Sequence, residues 1–71
     1  MNPLFAELTD TEVKTFSAAM NEILHGKGNV TKFNLAKNEI NTIQAAHNWT
    51  DNQKQNLMID YIIVGGMIRP S

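Results

Sequence analysis

The hydrophobic positions of this chain fall into three segments, of which the first two have helical spacing. In the first segment apolar residues recur every three or four positions, at Val13, Phe16, Met20, Ile23 and Leu24. In the second they recur in a similar way, at Phe33, Ala36, Ile40 and Ile43. This spacing places apolar side chains on one face of an amphipathic helix. The two segments therefore predict two helices that each present one face to a shared core.

The third hydrophobic segment has almost no polar face. From Leu57 to Ile68 nearly every residue is apolar, and Asp60 is the only charged one. A helix that is apolar all round has to be covered all round. A strand is the alternative over Tyr61–Val64, because β-branched residues favour strands, but no other segment offers a strand partner. We therefore predict a third helix, which is too short for the ~20 apolar residues of a membrane span.

Capping residues mark where the predicted helices begin and end. Thr9 with Glu12, and Thr50 with Gln53, have the spacing of a capping box, and Thr31 is the predicted cap of the second helix. Predicted terminators follow the three segments: Gly26, which can supply a left-handed cap, Asn48, and the pair Gly65-Gly66, which allows a Schellman-type cap. The prediction is an all-α protein, a small three-helix bundle in one domain over residues 1–71. Its helices cover about 10–25, 32–47 and 51–64, between an extended arm over 1–8, with Leu4 and Phe5 available for docking, and a tail over 65–71.

The small size of the chain predicts that it associates with itself. A domain of 71 residues buries only about 60% of the surface of its unfolded chain, so its stability alone is marginal. Small folds gain stability from disulfides, metals or oligomerisation, and the sequence contains no cysteine. A homo-oligomer is therefore expected, and a symmetric dimer is favoured because a two-fold axis lets one surface patch cover itself.

The outer side of the third helix is the predicted site of contact. Ile59 and Ile63 are expected to face outward there, and Met67, Trp49 and Tyr61 are further candidates for a protein interface. For Trp49 and Tyr61 a core position is the alternative, with the Trp49 ring closing the bundle where the second and third helices meet. Exposed aliphatic side chains each forgo about 1.5–3 kcal/mol of burial energy, and several together mark an interface.

A short basic region is the second candidate site. The net charge is −1, so no overall field draws the protein to DNA or to membranes. Residues 25–38, however, carry only basic charges, at Lys27, Lys32 and Lys37. With Thr31 and the free amides of a helix start, these lysines could bind an anion. A solvated connection between two helices is the favoured interpretation, since the spacing does not match a phosphate-binding loop.

Other kinds of site have weaker support in the sequence. The second and third helices have the order of a helix-turn-helix, but few lysines are available to neutralise phosphates. Glu22 and His25 occur once at helical spacing, whereas helical di-metal sites use such a motif twice. His47 is expected to be a partly exposed residue at a helix end. The sequence contains no motif for a catalytic nucleophile, and the domain has little room for a water-excluding pocket. We therefore predict that the protein is not an enzyme and binds no metal and no cofactor.

Taken together, the residues predict a non-enzymatic protein–protein interaction module. It would be a small inhibitor or adaptor that acts by occluding or bridging a protein partner of unknown identity. Its size and composition are similar to those of small accessory proteins of phages and mobile elements, a similarity that fixes no site. A phosphate-binding module for nucleic acid or a nucleotide, or a DNA-binding regulator, is the alternative. The lack of cysteine and of a basic leader segment predicts a cytoplasmic protein.

Overall fold

The described part of the protein consists of helices that pack around one core. The computed structural model describes residues 2–64, and the following statements concern these residues. A short 3₁₀ helix, Pro3–Glu7, precedes α1 (Asp10–His25), α2 (Val30–His47) and α3 (Asp51–Ile63). The predicted all-α, three-helix class is thus confirmed. None of the helices within this range is long and apolar enough to cross a membrane.

Both predicted capping boxes are present, and they set the starts of α1 and α3. The hydroxyl of Thr9 accepts from the amide of Glu12 at 3.1 Å, and the Glu12 carboxylate accepts from the amide of Thr9 at 2.9 Å. Thr50 and Gln53 make the same reciprocal pair at 3.1 and 2.8 Å. Each pair satisfies two amides that the helix itself cannot use, so these starts follow directly from the local sequence.

The start of α2 differs from the prediction. The cap is Asn29, whose side-chain oxygen accepts from the amide of Lys32 at 2.9 Å, and Thr31 lies inside the first turn. Asparagine caps at least as well as threonine, which explains the earlier start. The left-handed residue of the connection is Gly28, with φ +81°, whereas Gly26 ends α1 in an extended conformation. The prediction of a left-handed cap at Gly26 was therefore wrong.

The end of α2 agrees with its prediction, and α3 ends close to its predicted last residue. Asn48 ends α2, as predicted, and has the left-handed conformation with φ 56° and ψ 38°. The last residue of α3 is Ile63. The predicted stop at Gly65-Gly66 lies outside the described residues.

The residues before α1 are not the extended docking arm that the sequence suggested. The side chain of Asn2 accepts from the amide of Leu4 at 3.0 Å and starts the 3₁₀ helix, in which Pro3 suits the first position. Phe5 is buried, and its ring meets that of Phe16 edge-on with centroids 6.3 Å apart. Burial of a large aromatic ring outweighs the entropy of a free arm, so this segment belongs to the core.

Aromatic and aliphatic side chains from every helix form the core. The Phe16 ring packs edge-on against both Phe5 and Tyr61, and the centroids of the Phe16 and Tyr61 rings are 5.4 Å apart. The most completely buried large side chains are Met20 of α1 and Leu57 of α3. Two buried alanines also belong to the core, Ala19 of α1 and Ala36 of α2. Such small side chains allow the backbones of α1 and α2 to approach closely.

Candidate interaction surface

Three isoleucines form an exposed apolar face on the outer side of α3. Ile59, Ile62 and Ile63 are 52%, 51% and 74% exposed. Their spacing of three and four residues places them side by side on one face of the helix. Ile59 and Ile63 face outward as predicted, whereas Ile62 was not among the predicted residues, although it follows Ile59 at helical spacing. We call Ile59, Ile62 and Ile63 the isoleucine face.

The opposite side of α3 supplies the core, which accounts for part of the apolar residues of this helix. Leu57 and Tyr61 lie one turn apart and are buried. The Tyr61 side chain therefore belongs to the core in this structure, and it is not available on the monomer surface as an interface residue. Met67, the remaining predicted interface residue of this segment, lies outside the described residues.

Trp49 is also a core residue rather than a surface anchor. It is 8% exposed, and its ring stacks on the imidazole of His47 with centroids 4.8 Å apart and an interplanar angle of 19°. Its indole nitrogen is buried without a hydrogen-bond partner among residues 2–64. The ring fills the junction of α2 and α3, the position that the sequence analysis gave as the alternative to a binding role.

The first half of α3 presents amides, not cations, on the same outward side. Asn52, Gln55 and Asn56 are exposed and continue the stripe of the isoleucine face toward the start of the helix. Lys54 is turned away from this stripe, and its ammonium donates to the Asn41 side chain of α2 at 2.9 Å. Phosphate binding supplies much of the affinity for DNA, so this stripe lacks the charge that a DNA-reading helix requires.

The structure separates the four residues predicted for anion binding. Lys27 and Lys32 line an open depression of about 580 Å³ between the end of α1 and the start of α2. The Glu22 carboxylate lines the same depression and opposes an anion there. Thr31 is exposed and is not among the lining residues. Lys37 lies elsewhere, with its ammonium 5.6 Å from the centroid of the Phe33 ring.

A contact between α1 and α2 was not foreseen from the sequence. The imidazole Nε2 of His47 lies 2.9 Å from Oε1 of Glu12, the carboxylate that also completes the capping box of α1. The amide of Thr9 and then the imidazole of His47 stabilise the charged carboxylate, and they lower the pKa of Glu12 below its ordinary value of 4.5. The partners are 35 positions apart, so no local spacing could have indicated the pair.

Comparisons with known proteins give no further identification of the site. No family model matches the chain, and neither a curated protein nor a solved structure is significantly similar to it. Within the described residues, no group of three or more His, Cys, Asp or Glu side chains is placed to hold a metal ion. The function therefore has to be argued from the surface itself.

Proposed function

We propose that the protein is a small non-enzymatic interaction module that self-associates through the isoleucine face and acts by occluding or bridging a protein partner. The observation that carries the proposal is the exposure of Ile59, Ile62 and Ile63 on one side of α3. Contiguous aliphatic side chains of this kind mark surfaces that are covered by another protein. A second copy is the simplest cover, because an α3 helix related by a two-fold axis presents the same face.

The exposed area indicates how strong such an association can be. Each of the three side chains retains between half and three-quarters of its exposure. Covering them contributes about 3–5 kcal/mol per protomer, or about 6–10 kcal/mol per dimer, at about 1.5–3 kcal/mol for a whole side chain. Association costs about 4–15 kcal/mol in lost freedom of the partners. The two terms are comparable, so we expect a weak dimer whose population depends strongly on concentration.

The arrangement of polar and apolar residues on α3 favours contact near its second half. The isoleucine face lies in the last two turns, whereas the exposed amides Asn52, Gln55 and Asn56 occupy the first half of the stripe. If two α3 helices packed antiparallel along their whole length, the isoleucine face of each helix would contact the exposed amides of the other. A two-fold axis near Ile62 instead matches isoleucine with isoleucine and leaves the amides at the polar rim.

Substitution of Ile63 tests the proposal. The variants are Ile63→Asp and Ile63→Lys. A lysine is favourable at the negative C-terminal end of a helix, so Ile63→Lys places a charge in the interface without destabilising the end of α3. The control is Leu35→Asp, since Leu35 is also an exposed aliphatic residue, at 59% against 74% for Ile63, but lies on α2. Mass is measured by sedimentation over a range of concentrations, and circular dichroism checks that the helices are retained.

The expected result is that both Ile63 variants remain monomers at concentrations where the parent protein and the Leu35→Asp variant associate. Equal association of the parent protein and both Ile63 variants would exclude the isoleucine face as the contact. Loss of association in the Leu35→Asp variant alone would move the contact to α2.

Binding of a phosphate group is the alternative function. It is favoured by one observation, that Lys27 and Lys32 line the same depression beside the start of α2. Two features oppose it: Asn29 already accepts from the amide of Lys32, and Glu22 adds negative charge to the depression. We therefore rank this function second.

A further inference from the structure

A groove separate from the isoleucine face lies where the three helices meet. Its apolar lining comes from one residue of each helix, Ile23 of α1, Ile40 of α2 and Met58 of α3, and its volume is about 100 Å³. Ile40 is buried, whereas Ile23 and Met58 are half-buried. A methionine in such a position can adapt its shape to different apolar groups. The groove can therefore receive a single aliphatic side chain from outside.

Basic residues flank this groove on two helices. Lys37 and Asn41 lie one turn apart on α2, and Lys54 reaches across from α3 to donate to Asn41 at 2.9 Å. Lys37 is placed over the Phe33 ring. Within residues 2–64 neither ammonium has a carboxylate at ion-pair distance, since the ion pair found there joins Glu12 and His47. Both lysines line the groove, and the positive charge of each can attract an incoming acidic group.

We propose that this groove binds an acidic segment of a partner protein, in which one aliphatic side chain is flanked by aspartate or glutamate. The aliphatic side chain enters between Ile23, Ile40 and Met58, and the carboxylates meet Lys37 and Lys54. Apolar contact gives such a complex its affinity, and complementary charge gives it orientation and a faster encounter. The inference rests on the proposed function only in assigning a protein as the partner, because it uses none of the residues of the isoleucine face.

Selection from a displayed library of random peptides tests the proposal. The target is the full chain carrying Ile63→Lys, so that self-association does not compete with peptide binding. The affinity of each selected peptide is then compared between this target and the same target carrying Lys37→Glu/Lys54→Glu. The matched control is Lys27→Glu/Lys32→Glu, which changes the same number of lysines outside the groove. Methyl NMR of Ile23, Ile40 and Met58 then maps where a selected synthetic peptide binds.

The expected peptides carry Asp or Glu on both sides of Leu, Ile, Val or Met, and their binding weakens with added salt. Reversal of Lys37 and Lys54 should lower the affinity about tenfold or more, since it replaces two attractions by repulsions. The Lys27→Glu/Lys32→Glu variant should bind the peptide as tightly as the target without these changes. The methyl signals of Ile23, Ile40 and Met58 should shift when the peptide binds. The proposal would be overturned by any of three results: no enrichment of acidic peptides, equal peptide binding by the Lys37→Glu/Lys54→Glu variant, or shifts confined to the methyl signals of other residues. None of these results bears on the sedimentation test, so the two proposals fail separately.

Discussion

Glu12 connects the start of α1 to the end of α2, and replacing it by alanine should destabilise the protein measurably. The carboxylate accepts from the amide of Thr9 and contacts the imidazole of His47, both at 2.9 Å. Loss of a helix cap costs about 0.5–2 kcal/mol, loss of a charge at the helix start about 0.3–1 kcal/mol, and loss of a partly exposed ion pair up to about 1 kcal/mol. The three contributions predict a decrease of about 1–4 kcal/mol in the free energy of unfolding.

Urea denaturation followed by tryptophan fluorescence measures this decrease. Trp49 is the only tryptophan of the chain and is buried, so its emission reports on the core. With a slope of about 1 kcal/mol per molar urea for a small domain, the midpoint should fall by roughly 1–4 M. The matched control is Glu39→Ala: Glu39 lines the same surface depression as Glu12, and a surface change of this kind costs within about 0.5 kcal/mol.

The effect of Glu12 should depend on pH in a defined direction. The pKa of Glu12 is lowered in the folded protein, so the charged carboxylate stabilises the fold at pH values above 4.5, the ordinary value. This stabilisation is lost as the pH falls through the lowered folded pKa. The difference between the parent protein and Glu12→Gln should therefore shrink at acid pH. Equal midpoints for Glu12→Ala and Glu39→Ala, or a Gln difference that is unchanged at acid pH, would refute this account of the contact.

The remaining predictions concern α3 and the basic depression. Leu57→Ala should lower the free energy of unfolding by about 2–5 kcal/mol because it opens a cavity in the core, whereas Ile59→Ala, two residues away on the exposed side, should cost much less in a monomeric sample. Urea midpoints at low protein concentration check this contrast, and equal losses would contradict the assignment of the two sides of α3. Added inorganic phosphate should not shift the NMR signals of the parent protein or of the Lys27→Glu/Lys32→Glu variant. A salt-sensitive response of the parent that this variant abolishes would favour the phosphate-binding alternative.

Much of the fold was predictable because it is encoded locally. The capping boxes at Thr9 and Thr50 depend on residues three positions apart, and the spacing of apolar residues determines which side of α1 and α2 is buried. The shift in the start of α2 was also local, since Asn29 competes with Thr31 as a cap. These features can be read from a few adjacent residues without knowledge of the tertiary structure.

Features that depend on distant parts of the chain were not predictable in the same way. The contact between Glu12 and His47 joins positions that are 35 residues apart, and the burial of Phe5 depends on the Phe16 ring of another helix. The groove beside Lys37 and Lys54 exists only because α1, α2 and α3 each contribute one apolar side chain. The sequence could show that α3 has too many apolar residues for a surface helix, but only packing shows which of them the core covers.

Self-association through the isoleucine face is the central claim, and the mass of the parent protein in solution tests it most directly. Sedimentation equilibrium over a concentration range from micromolar to millimolar should show a rise from the 8.0 kDa of one chain toward twice that mass. The Ile63→Lys variant should remain at the mass of one chain throughout the range. A parent protein that stays monomeric at millimolar concentration would contradict the claim and would leave the isoleucine face without a second copy to cover it.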